Sequence, residues 1–144
     1  MIGQPLDDCF NLQRFLTAQD PVFETVRTQL REGRKRTHWM WFIFPQIEGL
    51  GHSPTSRHFA ISSKEEAQAY LSHPILGPRL RECTRLLVQI ESCTIGEILG
   101  CPDDLKFRSS MTLFASATPD NRIFLDALQK YFAGEKDEAT LSRL

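Results

Sequence analysis

Two stretches of this chain concentrate side chains able to do chemistry: Gly33-Arg-Lys-Arg-Thr-His-Trp-Met-Trp-Phe-Ile-Phe-Pro-Gln46 and Asp103-Asp-Leu-Lys-Phe-Arg-Ser-Ser110. In the first, Arg34 and Lys35 can meet a phosphate, Trp39 or Trp41 can stack a planar ring, and His38 or Gln46 can fix its orientation. In the second, Lys106, Arg108 and Ser109 offer anion ligands, and Asp104 stands with His38 as a candidate acid–base group. A pocket built from both would bind, and with a proton-transfer group in place hydrolyse, a phosphorylated small molecule such as a nucleotide or an ADP-ribose derivative. Each stretch also has a plain structural reading. A tryptophan buries a very large area and anchors cores, its indole N–H finding a backbone partner. Acidic residues suit a helix start, and Asp104 with Arg108 has the four-residue spacing of a helical ion pair. On that reading the chain is a non-enzymatic interaction or structural module. The two can coexist, with one tryptophan facing the core and the other a cleft.

Other chemistries find less support. His38, His52, His58 and His73 form no pair four residues apart and have no cysteine at ligand spacing, so a metal site would need assembly from distant segments. G-x-S-x-G, G-x-x-x-x-G-K-[ST] and G-x-G-x-x-G are missing, and no cofactor is indicated. A net charge of -1 argues against a general polyanion binder, so any nucleic-acid contact would be local. One local excess exists, Arg27, Arg31, Arg34, Lys35 and Arg36 against Glu32, which also fits cations at a helix C-terminus. No apolar run approaches a membrane span, and the residues after Met1 lack the basic and apolar regions of a signal peptide, which points to the cytoplasm. Cys9, Cys83, Cys93 and Cys101 include no C-x-x-C pair and read as reduced thiols.

The elements that must position these groups read as helices. At 144 residues the chain suits one domain with one core. Phe10, Leu12, Phe15 and Leu16 suggest a short helix over 8–18. Asp20-Pro21 reads as a helix start, Val22, Val26 and Leu30 share a face, and Gly33 supplies a left-handed stop. Ser53-Pro54 predicts a short helix carrying Phe59 and Ile61. Ser63-Lys-Glu-Glu66 and Thr94-Ile-Gly-Glu97 both match capping boxes. Leu76, Leu80, Cys83, Leu87 and Ile90 recur in steps of four, three, four and three, the seam of a core-facing helix. Phe107, Met111 and Phe114 mark another helix opened by Asp103 or Asp104. Thr118-Pro119 predicts the next start, ahead of an apolar stripe that ends before Gly134, and a last short helix runs from Asp137. Strand composition occurs only at Trp39 to Phe44, without clean alternation or a partner. The expected class is all-α, a single compact domain over 1–144 with six to eight short helices.

The run from Gly33 to Gln46, together with His73-Pro-Ile-Leu-Gly-Pro-Arg-Leu80 and Pro102-Asp-Asp-Leu-Lys-Phe-Arg-Ser-Ser-Met-Thr-Leu-Phe114, resembles the mostly bacterial domain-of-unknown-function family 1810, over about residues 10–144. The resemblance implies a compact, mainly helical domain and no established activity. Family members are sometimes labelled calpastatin; calpain inhibitors of that kind are disordered, low-complexity chains, which this sequence does not resemble. Leu71-Ser-His-Pro-Ile-Leu76, Leu80 with Thr84, Glu97 and Asp103-Asp104 are also loosely similar in order to segments of the NADAR family of ADP-ribose-processing N-glycosidases.

Overall fold

A computed structural model describes residues 8–144. Among them are ten helices: α1 (Gln13–Gln19), α2 (Phe23–Glu32), α3 (Met40–Ile43), α4 (Pro54–His58), α5 (Lys64–Ser72), α6 (Leu76–Gln89), α7 (Ile95–Leu99), α8 (Asp103–Ala117), α9 (Arg122–Phe132) and α10 (Glu138–Leu141). Six have seven or more residues and four have four or five. The chain is all-α; among the described residues the β-type pairing is an isolated parallel bridge between Ile47 and Ile61.

Helix α8 is the hub, packed against α5, α7, α9 and α10, while α6 lies against α2, α5 and α9, and α1 against α3. Phe107, Met111 and Phe114 are fully buried on one face of α8, and Thr112, Leu113 and Ala115 are buried as well. A helix enclosed on nearly all sides must satisfy its polar groups internally. Thr112 Oγ1 does so by donating to the Arg108 carbonyl (2.8 Å) and accepting from the Asp137 amide (2.9 Å), which also pins the start of α10. On α6 the predicted seam holds through Leu87: Leu76, Leu80, Cys83 and Leu87 are each no more than 1% exposed, whereas Ile90 lies past the helix end as an extended, half-buried cap residue.

Local signals explain most helix ends. Gly33 closes α2 at φ 78°, a left-handed conformation that glycine adopts without a Cβ penalty. Thr94 and Glu97 form the complete capping box, with bonds of 3.1 and 2.7 Å, and Ser53 caps α4 with Pro54 as its first residue. Elsewhere tertiary partners intervene. Asp20 pairs with Arg79 of α6 at 2.8 Å instead of capping, so α2 begins only at Phe23. Ser63 caps α5 by accepting from the Glu66 amide, but Glu66 does not return the bond; its carboxylate accepts from the Ser62 amide and hydroxyl and from Arg14, all at 2.8 Å. Thr118-Pro119 forms a turn and α9 starts three residues later, at Arg122. Phe59 and Ile61 follow α4 rather than riding on it.

The cysteines differ sharply in environment. All four are free thiols; Cys83 is buried in the α6 seam, whereas Cys9, Cys93 and Cys101 are exposed. Burial pushes the Cys83 thiol up to about 12, leaving almost no thiolate at neutral pH. Cys9, Cys93 and Cys101 of the native, unreduced protein should therefore react promptly with a disulfide reagent at pH 8, and Cys83 only after denaturant is added. Mass spectrometry reads the count; a native protein short of three reactive thiols would reveal a bridge, and early modification of Cys83 would mean that α6 opens readily.

Candidate functional site

The two tryptophans take opposite roles. Trp39 is 1% exposed. Its indole N–H donates to Gln29 Oε1 at 2.9 Å, a side-chain amide rather than a backbone carbonyl. The same oxygen accepts from the Arg36 amide (2.9 Å), and Gln29 Nε2 donates to Thr37 Oγ1 (3.0 Å), so one buried glutamine of α2 fixes the whole basic lip. The Trp39 ring packs on Phe44, and Phe44 packs edge-on against Phe107 of α8. Trp39 is thus a core anchor. The Trp39 to Phe44 run, strand-like in composition, makes the single turn α3, which turns Met40 and Ile43 inward and leaves Trp41 half-buried.

Trp41 is the ring that meets polar groups. The His38 ring lies 6.5 Å away on a tilt, and Lys106 Nζ sits 5.4 Å from the indole centroid. Trp41, Gln46 and Lys106 line one hollow with Met40, Phe44, Ile47, Gly51, Ser56, Phe59 and Ala60. Its floor is tied by two backbone bonds of 2.8 Å, from the Ile61 amide to the Gln46 carbonyl and from the Glu48 amide to the Ile61 carbonyl. At Gly51 a Cβ would fall 2.5 Å from the Ser56 Cβ, so only glycine lets that loop press against α4. The hollow encloses about 10 Å³, room for roughly one water molecule.

Lys35, Asp103 and Lys106 connect the two sequence motifs. Lys35 Nζ is 3.0 Å from Asp103 Oδ2 and 5.4 Å from the Trp39 ring centroid, and Lys106 Nζ is 3.6 Å from Asp103 Oδ1. The Lys35 amide donates to the Ile98 carbonyl at 2.7 Å, locking the lip onto α7. One carboxylate thus faces two ammonium groups, leaving an excess positive charge beside Trp41. Arg34 is exposed on the same lip, and Arg36 is taken up by Glu32 at 2.7 Å.

Other predicted site residues lie apart. Arg108, two residues after Lys106 on α8, serves another face, as that spacing requires, and Ser109, three residues on, is drawn to the C-terminal segment instead. Arg108 lies over Phe132 and pairs loosely with Glu135 (3.8 Å) and Asp137 (3.7 Å), rather than with Asp104. Ser109 Oγ donates to Asp137 Oδ2 at 2.9 Å, and that carboxylate also caps α10 through Thr140. These two residues hold the C-terminal segment. Asp104 accepts from the Leu105 amide and faces Gly96 of α7, whereas His38 lies beside Trp41; among the described residues no hydrogen bond or ion pair joins them. His73, Thr84 and Glu97 each have local tasks: His73 Nδ1 accepts from the Ile75 and Leu76 amides, Thr84 donates to the Leu80 carbonyl, and Glu97 completes its capping box.

Sequence reasoning placed Asp103 in the second motif without a site role and gave none to Ser56 and Phe59. Asp103 was legible in principle, one helical turn before Lys106; Ser56 and Phe59 reach the hollow only through tertiary packing. Among the described residues no group of three or more His, Cys, Asp or Glu side chains is placed to hold a metal ion, and no helix is long and apolar enough to cross a membrane.

Over residues 9–144 the sequence matches the family model described as Protein of unknown function (DUF1810). The chain belongs to this family. A solved structure similar to this DUF1810 chain is that of the conserved hypothetical protein Rv1873 from Mycobacterium tuberculosis, with 56% sequence identity and a TM-score of 0.94. The match covers 95% of this chain and 98% of that one. No curated protein matches the DUF1810 chain.

Proposed function

We propose that this DUF1810 domain binds a phosphorylated small molecule carrying a planar ring, such as a nucleotide or an ADP-ribose derivative, at the surface centred on Trp41. The observation that carries the reading is the joint placement of a half-buried indole, two lysines sharing one carboxylate, and a histidine and a glutamine beside the same ring. The indole supplies a stacking face and the surplus ammonium charge a phosphate partner, with Gln46 as donor or acceptor for a ring edge. Hydrolysis would fall to His38, whose imidazole lies beside Trp41. The free thiols and the mycobacterial relative support a reducing, cytoplasmic setting in a bacterial cell.

A second reading, a non-enzymatic interaction module, is favoured by the small volume of the hollow, which in this conformation admits no ring. A thermal-shift screen against nucleotides, ADP-ribose and sugar phosphates separates the two, because ligand at 100 times its dissociation constant adds about 2.7 kcal/mol. For a hit, Arg34→Ala should weaken binding with the melting temperature nearly unchanged. Arg108→Ala should lower the melting temperature and leave binding intact, since its contacts are with the C-terminal segment. A screen without hits would leave the interaction module as the surviving reading.

A further inference from the structure

Resting on the binding reading above, we infer that Lys106 is a movable cover: the ring of a nucleoside phosphate displaces its ammonium from the Trp41 face, and the displaced ammonium becomes the counter-ion of the phosphate. The hollow under Trp41 is closed to about the size of one water, yet its wall includes a lysine. From Phe107 onward helix α8 is buried on nearly all sides and cannot shift cheaply, but the Lys106 side chain hangs from its more open first turn on rotatable bonds and is 26% exposed. Its two polar attachments are weak ones, a 3.6 Å approach to Asp103 and a cation–π contact at 5.4 Å.

Departure of Lys106 leaves no orphaned charge. Asp103 keeps Lys35 at 3.0 Å, and the Lys35 side chain is only 10% exposed and is held against Trp39, so the carboxylate stays paired. Lys35 is the fixed partner and Lys106 the mobile one. Elsewhere on the rim, Gly51 is pressed on Ser56 and the Ile47–Ile61 bridge ties the backbone below. An adenine-sized ring would then take the place of the ammonium and stem against Trp41, with its phosphate directed outward.

The test compares adenosine, AMP and inorganic phosphate on the wild-type protein, Lys106→Ala and Lys106→Met, by calorimetry and by acrylamide quenching of tryptophan emission. Trp39 is buried, so a gain in quenching reports Trp41. In the wild type, AMP should bind about tenfold or more tighter than adenosine, the value of one charge-assisted contact. Lys106→Ala should remove both cover and mobile counter-ion: quenching rises, adenosine binds about threefold tighter than to the wild type, and the advantage of AMP falls to what Arg34 alone supplies. Lys106→Met keeps a stem over the ring without the charge, so AMP should lose most of its advantage while quenching stays below that of Lys106→Ala. If Lys106→Ala weakens AMP but leaves adenosine affinity and quenching unchanged, Lys106 is a static rim cation and the cover is refuted while the binding reading survives. If no nucleoside phosphate binds the wild type or either variant, both fall. Phosphate binding alone, insensitive to Lys106, also overturns the cover.

Discussion

Trp39→Ala is expected to lower the unfolding free energy by about 3–5 kcal/mol, the cost of truncating a fully buried aromatic side chain. Trp41→Ala, two residues away and identical in chemistry, should cost only about 1 kcal/mol, because half-buried sites lose less packing. The difference follows from placement: Trp39 is 1% exposed, bonded to Gln29 and wedged against Phe44. Deleting its ring leaves a cavity, although Gln29 Oε1 still accepts from the Arg36 amide. Urea denaturation followed by far-ultraviolet circular dichroism is the suitable readout, since each variant loses half of the tryptophans. Equal losses at the two positions would mean that Trp41 is also a core residue and that the candidate site has no stacking face.

Arg14→Ala should be comparably severe, about 3–5 kcal/mol, because it strands a buried carboxylate. Arg14 donates to the carbonyls of His58 and Ala60 and to Glu66 Oε2, each at 2.8 Å, besides two carbonyls of its own α1 entry. Glu66 is only 3% exposed at its side chain. This one guanidinium fastens α1 to the connector between α4 and α5, which forms a wall of the Trp41 hollow through Phe59 and Ala60. Glu66→Gln should be milder, about 1–2 kcal/mol, since the Ser62 amide and hydroxyl can still donate to the amide oxygen. Chemical denaturation of both variants checks the order; a loss below about 1 kcal/mol for Arg14→Ala would show that the pair is hydrated rather than buried.

The parts of this architecture that local sequence could reveal are those that local physics decides. The α6 seam was readable because its four-three spacing presents one face to the core, and Leu76, Leu80, Cys83 and Leu87 all occupy it. Gly33 and the Thr94-Glu97 box were readable because a left-handed stop and a reciprocal cap depend only on near neighbours. Asp20 and Glu66 behaved differently from their local patterns because arginines distant in sequence, Arg79 and Arg14, claimed their carboxylates. Helix α8 shows the strongest limit. With neighbours on nearly all sides it lacks a single polar face, so nothing in the sequence tells which way Lys106 and Arg108 point. The structure sends the first to Trp41 and the second to the C-terminal segment. Similarly, the aromatic block revealed that a site was worth seeking, but only tertiary packing separated the anchoring tryptophan from the half-exposed one.

The central claim is that Trp41 and its lysine-rich surroundings form a binding surface for a ring bearing a phosphate. Two-dimensional nitrogen–proton NMR tests it most directly, because the two tryptophans give two indole N–H signals, assignable with Trp41→Phe. Titration with AMP should move the Trp41 indole signal together with the amides of Gly51 and Ser56, while the Trp39 indole, held by Gln29 in the core, stays in place. Saturable shifts confined to some other face, or none at any nucleoside phosphate tested, would contradict the account.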